Sequence, residues 1–165
     1  MIAATLVGQA QKGDVHAFAL LYKQFYQDLY RFALYTLRNT HDAEDAVSDA
    51  VTDAFAQIRT LRNADAFKSW MFRILTAKCA RRLKMYGEPN AELSEDIPMP
   101  DGDLDAQIDV RQAFSSLPPD DRLILSMSIF AGYSSQEIGN ALDMNPNTVR
   151  SRQSRALKKM QGMVE

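Results

Sequence analysis

YSSQEIGNALDMNPNTVRSRQSRALKKM, from Tyr133 to Met160, holds the strongest local signals in the chain. Ser134 followed three residues later by Glu137 forms a capping box, in which each residue satisfies an unpaired amide of the other, and this predicts a helix over Ser135 to Leu142. Asn145 then supplies an N-cap, and Pro146 falls at the first helical position, where its missing N–H removes no helical bond. Only Asp143 and Met144 separate the first helix from that cap. Two helices joined by so short a turn, the second strongly basic, fit a helix-turn-helix whose second helix enters the major groove of DNA.

The faces of that second helix agree. Val149, Ala156 and Met160 share an inward face, whereas Arg150, Ser151, Ser154, Arg155 and Lys158 form an outward stripe. Arginine can hold a guanine edge with two hydrogen bonds, and serine contacts bases or phosphates, so the mixture suits groove reading better than backbone binding alone. Cations near a helix C-terminus also favour the helix dipole. Charge by itself therefore does not decide; the caps and the turn length do.

Working outward, apolar residues recur at three and four rather than at two, which predicts an all-α fold. After a short opening helix ending near Gly13, Asp14 caps a long helix with core positions Phe18, Tyr22, Phe25, Leu29 and Phe32. Asn39 or Thr40 caps a second, whose inner face of Ala43, Ala46, Val47, Ala50, Val51, Ala54 and Ile58 permits close approach. A third starts after Asp65, buries Phe67, Trp70, Met71 and Ile74, and runs to about Tyr86. Leu104 to Leu117 reads as a helix stopped by Pro118 and Pro119, and Asp120 or Asp121 opens another, with Leu123, Ile124 and Met127, that Gly132 closes.

Between the two groups lies Gly87 to Asp103, with Pro89, Pro98, Pro100 and Gly102 and no helical period. A structureless stretch of that length is unusual inside one domain. The expected organisation is thus two small helical domains, 1–86 and 104–165, joined by an acidic flexible linker over 87–103.

Net charge is only -2, yet the charges are segregated. Lys68 to Lys84 holds Lys68, Arg73, Lys78, Arg81, Arg82 and Lys84 without an acid, and Met144 to Gln161 holds five cations without one. Glu88 to Asp109 carries eight acids and no Lys or Arg. The first basic block adds Trp70 and Phe72, a pairing that can track a phosphate backbone and stack unpaired bases. Trp70 also lies on the stripe with Ile74, so its larger part is in packing. Asp42, Glu44, Asp45, Asp49 and Asp53 populate the outer face of an Ala/Val helix, spread along it instead of converging. Such a face repels DNA and suits a basic protein partner.

Other classes find little support. No apolar run approaches the roughly 20 residues needed to cross a bilayer, and no secretory leader is visible, so a cytoplasmic location without membrane insertion is expected. Cys79 is alone and, with only His16 and His41 beside it, gives neither a disulfide framework nor a zinc spacing; it reads as a packing residue. There is no Gly-rich phosphate loop, no nucleophile with a partner and no metal-ligand cluster, so neither catalysis, cofactor nor metal is expected.

The order of these parts resembles the extracytoplasmic-function sigma factors of the sigma-70 family, over nearly all of Ala17 to Met160 except the linker. DAEDAVSDAVTDAF (Asp42 to Phe55) is similar to the segment that binds the clamp coiled coil of the polymerase β′ subunit. FKSWMFRI (Phe67 to Ile74) is similar to the start of the minus-ten recognition and melting helix. LPPDDRLIL, YSSQEIGNAL and NTVRSRQSRALKKM, from Leu117 onward, resemble the domain that reads the minus-thirty-five element.

The resemblance implies a non-enzymatic protein that binds core RNA polymerase, at the β′ clamp coiled coil and the β flap, and directs it to promoter DNA, with an anti-sigma factor as a further partner. It implies polymerase binding by Asp42, Glu44, Asp45 and Asp49, and minus-ten contacts by Lys68, Trp70, Arg73, Lys78 and Arg81. It implies minus-thirty-five contacts by Asn147, Thr148, Arg150, Ser151, Arg152, Ser154, Arg155 and Lys158. Five positions depart from the family's usual residues: Ser48 and Asp49 where glutamine and glutamate are common, Ala77 for an asparagine that helps recognise a flipped minus-ten base, Gly139 for alanine and Asp143 for glycine. A conventional helix-turn-helix regulator would explain Ser134 to Met160 but leave the acidic and Trp70 helices unassigned. A sigma mimic would be expected to lack the outward cations.

Overall fold

The structure, a computed structural model, describes residues 2–86 and 104–164. The described residues form eight α-helices and two short 3-10 turns, with no strand among them. Helices α1 (Ile2–Gln11), α2 (Val15–Leu37), α3 (Thr40–Gln57) and α4 (Phe67–Tyr86) make the N-terminal group; α5 (Leu104–Ser115), α6 (Pro119–Ile129), α7 (Ser135–Leu142) and α8 (Pro146–Val164) make the C-terminal one. The linker expected over 87–103 lies outside the described residues, as do the side chains of Leu104 and Ile108.

Local chemistry sets the helix ends. The Asp14 carboxylate accepts from the Ala17 amide at 3.1 Å, and Asn39, not Thr40, caps α3 through the Asp42 amide at 2.8 Å. The 3-10 turn Ala64–Ala66 leads into α4 at Phe67, with the Asn63 side chain accepting from Asp65. One expectation is corrected: α6 opens on Pro119 itself, with Asp120 and Asp121 in its first turn beside the helix dipole.

Helices α2, α3 and α4 enclose the N-terminal core. Ala43, Ala46, Ala50 and Ala54 are buried and let α3 lie close against its neighbours. Phe32 and Phe72 meet edge-on with centroids 5.7 Å apart, among Leu29, Leu37, Met71 and Leu75, all fully buried. Phe72 is thus a core residue, which corrects its reading as a base-stacking surface; burying its ring outweighs any role in solvent. Trp70 and Ile74 are half-buried at the edge of the same core, and Cys79 is buried, its thiol pushed up to about 12 by desolvation.

The two groups pack against each other chiefly through α2 and α6. Tyr35 stands between Phe114 and Phe130, each 5.3 Å away. Arg38 donates to the Ser115 carbonyl at 2.6 Å, and Tyr133 donates to the Ser69 carbonyl on α4 at 3.3 Å. Leu123, Ile124, Met127, Ile138 and Val149 join the N-terminal core, while Phe114, Leu117, Leu125 and Ala156 form a second cluster.

Candidate nucleic-acid and protein interfaces

The helix-turn-helix is built as its sequence dictates. Ser134 accepts from the Glu137 amide at 3.1 Å while the Glu137 carboxylate accepts from the Ser134 amide at 2.9 Å. Helix α7 ends with Asp143 in the left-handed region at φ 57°, a conformation that Asp tolerates better than most residues. The chain folds back so tightly that a Cβ on Gly139 would stand 2.5 Å from the Met144 carbonyl oxygen. Asn145 accepts from the Asn147 amide at 2.8 Å and starts α8 at Pro146.

On α8, Val149 and Ala156 are buried and Met160 is half-buried, which turns the opposite face outward. Asn147, Thr148, Arg150, Ser151, Ser154, Arg155 and Lys158 are all exposed. Arg150 also donates to the Asn147 side chain, which steadies it at the start of the row. Arg152 differs: it is half-buried and turned back on α6, 3.7 Å from Asp120 and 3.6 Å from Asp121. It ties the recognition helix to the helix beneath it.

On α4 the expected minus-ten residues divide similarly. Arg73 and Arg81 are exposed, with the departing residue Ala77 midway between them on the same face. Lys68 is exposed and lies 3.8 Å from Asp28 on α2, above the Phe72 ring. Trp70 keeps a partly open edge while its ring packs on Phe67, centroids 5.9 Å apart. Lys78 is committed to Asp53 on α3 at 2.6 Å.

On α3, Glu44 and Asp49 are exposed, whereas Asp42 and Asp45 are half-buried toward α4. The carboxylates do not merely spread along a face. Asp42, Asp45 and Asp49 converge on the Arg82 guanidinium, at 3.5, 3.9 and 3.8 Å. Asp42 also accepts from the Tyr86 hydroxyl, and burial together with that hydrogen bond raises the Tyr86 pKa well above the usual phenol range. Arg82 was one cation among six in the sequence; a separation of 33 to 40 residues along the chain hid its partners.

A groove of about 970 Å³ runs between the two groups, with Ala80, Leu83 and Lys84 of α4 on one side and Arg152, Arg155 and Lys159 of α8 on the other.

An acidic helix, a basic helix with a half-buried tryptophan, and a helix-turn-helix with an outward Arg/Ser row define a DNA-binding protein. Residues 21–87 match sigma-70 region 2 and residues 107–160 match sigma-70, region 4. The chain is 31% identical over 156 residues to the ECF RNA polymerase sigma factor SigM of Mycobacterium tuberculosis, covering 93% of this chain and 80% of that one. It is 31% identical over 137 residues to the RNA polymerase sigma factor SigV of Bacillus subtilis, covering 81% and 82%. Among solved structures, the sigma factor RpoE in complex with the anti-sigma factor NepR from Bartonella quintana superposes with a TM-score of 0.68 at 25% identity, covering 91% and 98%. CnrH in complex with the cytosolic domain of CnrY shares the fold, with a TM-score of 0.66 at 21% identity over 99% and 97%. The chain belongs to the extracytoplasmic-function sigma factors of the sigma-70 family, proteins that direct transcription initiation with core RNA polymerase.

Proposed function

We propose a division of labour within this sigma factor. Residues 1–86 dock core polymerase through Asp42, Glu44, Asp45 and Asp49 on the β′ clamp coiled coil and hold minus-ten DNA with Lys68, Trp70, Arg73 and Arg81. Residues 104–165 bind at the β flap and read the minus-thirty-five element with Asn147, Thr148, Arg150, Ser151, Ser154, Arg155 and Lys158. Arg152 and Lys78 serve as struts, because each is already taken up by carboxylates of a neighbouring helix. The stretch 87–103 tethers the two units, so that each contact raises the effective concentration of the other. The protein acts in the cytoplasm, without catalysis of its own, and takes an anti-sigma factor as a further partner, as RpoE does in its complex with the anti-sigma factor NepR.

The observation that carries this reading is the exposed row of Arg150, Ser151, Ser154, Arg155 and Lys158 on the second helix of the motif, in one chain with the acidic face of α3. In vitro transcription with purified core polymerase on a promoter library tests it, comparing wild type with Arg155→Ala and with Asp45→Ala, Asp49→Ala. Initiation at a defined motif is expected, impaired in the first variant through the upstream element and in the second through core binding. Duplex DNA binding without core binding or initiation would instead identify a conventional helix-turn-helix regulator.

A further inference from the structure

The seam between α3 and α4 places one cation among the acids assigned above to polymerase docking. The Arg82 guanidinium lies 3.5 Å from Asp42, 3.9 Å from Asp45 and 3.8 Å from Asp49. These are loose, shared contacts, longer than the distances of a close charge-assisted pair. The site is open: the Arg82 side chain is 26% exposed and that of Asp49 61%. One positive charge against three negative ones leaves the cluster attractive to a basic partner. A cation arriving at Asp45 and Asp49 nevertheless finds a guanidinium already there.

Arg82 sits on the helix that carries the minus-ten cations. Its chain neighbour Arg81 is exposed one step, about 100°, around α4. A long, flexible arginine stem can leave the α3 side of the seam for the open side without moving the helix, since the deep core of α4 rests on Met71, Phe72, Leu75 and Cys79. The outer contacts, to Asp45 and Asp49 with side chains 48% and 61% exposed, are individually weak, so exchanging them for a partner's cations is within reach of a docking interface.

We propose that Arg82 is a placeholder cation shared by two interfaces. In the free protein it neutralises part of the docking face. When basic residues of the polymerase take up Asp45 and Asp49, Arg82 is released and turns to the phosphates of promoter DNA beside Arg81. Core docking and minus-ten engagement are thereby linked through one side chain, and thermodynamic linkage requires the effect to be reciprocal: promoter strand raises core affinity by the factor by which core raises strand affinity. Arg82 is a positioning residue in this scheme, acting on the docking acids before it acts on DNA.

The inference rests on α3 being the docking face, and its test separates the two. Binding of the full-length chain to core polymerase is measured with and without a single-stranded oligonucleotide spanning the minus-ten element of a promoter found by the transcription experiment. The variants are Arg82→Gln, Arg82→Met, which keeps the aliphatic stem in place, and Glu44→Gln, which lies outside the Arg82 contacts; thermal melts identify those that are folded. Without oligonucleotide, a folded charge-removing variant is expected to bind core about 3- to 10-fold tighter than wild type, and to lose a similar factor from the enhancement that the oligonucleotide gives. Arg82→Lys, which restores a cation, should return core affinity toward wild type. Core binding by folded Arg82→Gln or Arg82→Met no tighter than wild type, with Glu44→Gln weakened, overturns the placeholder role alone. Unchanged binding by Glu44→Gln, with no gain in the Arg82 variants, overturns the docking face and the placeholder together.

Discussion

The buried Arg122 guanidinium of α6 donates to the Thr36 main-chain carbonyl of α2 at 3.0 Å, and to the Leu117 carbonyl at 2.7 Å. Arg122 is 2% exposed, and its two hydrogen-bond acceptors are carbonyls rather than carboxylates. Desolvation lowers its pKa to about 10, with Arg38 close by adding repulsion. The junction between the helical groups is therefore pinned by a charge that is strained by its surroundings, with Arg38 bonding to Ser115 in the opposite direction.

Truncating this pin should loosen the junction. Arg122→Ala leaves two buried carbonyls unpaired and a void where the guanidinium lay, a loss of about 2–3 kcal/mol. Small-angle X-ray scattering should show a larger radius of gyration for the free variant, and urea unfolding should split into two transitions. A variant as compact and cooperative as wild type would show that the Tyr35 aromatic contacts suffice to hold the groups together.

Gly139 presents a sharper steric case. Helix propensity alone would favour Gly139→Ala by roughly 1 kcal/mol. Here the added Cβ would meet the Met144 carbonyl oxygen at 2.5 Å, and that backbone is fixed by the Asn145 cap that follows. The expected result is a net destabilisation of about 1–3 kcal/mol, read as a lower melting temperature, together with weaker binding to minus-thirty-five duplex. A stabilised variant would mean that the turn relaxes at little cost.

Much of this architecture was legible because its signals are local. The Asp14, Asn39 and Ser134 caps, the alanine face of α3 and the Pro146 start need only a few neighbouring residues to be read, and each stands where the pattern puts it. The outward row on α8 follows from helical period alone. What escaped depends on contacts between distant segments. Phe72 looked available for stacking until α2 covered it with Phe32. The carboxylate partners of Arg152 and Lys78 lie on other helices, where no local pattern shows them. Arg122 follows Asp120 and Asp121 in the sequence, and nothing in that neighbourhood foretold a carbonyl of α2.

Alkaline pH should test the core around Cys79. Its thiol is raised from 9.0 to about 12 by burial, so the unfolded chain ionises first. The stability tied to this group is fully present below pH 9 and is lost as pH rises toward 12, since the unfolded state then holds fewer protons than the folded one. Tyr22, raised from 10.0 to about 12 chiefly by burial, acts in the same direction from pH 10 upward. Urea midpoints measured from pH 7 to 11 should therefore fall above pH 9, and fall less steeply in Cys79→Ala. Equal slopes for the two proteins would assign the alkaline loss to other groups.

The two arginines of α8 that lie three residues apart should behave oppositely. Arg155 is exposed and takes no carboxylate among the described residues, whereas Arg152 is held within 3.6–3.7 Å of Asp121 and Asp120 on α6. If Arg155 reads a base edge, Arg155→Ala costs about 1–3 kcal/mol of discrimination at one promoter position and leaves the melting temperature unchanged. Arg152→Ala removes a partly screened ion pair and should lower stability by no more than about 1 kcal/mol, with a weak and sequence-independent effect on DNA affinity. Competition binding of both variants against single-base substitutions in the minus-thirty-five duplex separates these outcomes. A relaxed base preference in Arg152→Ala, with Arg155→Ala unaffected, would mean that Arg152 leaves its carboxylates on binding and is itself the reader, since an arginine cannot contact a base edge while its guanidinium remains committed to α6.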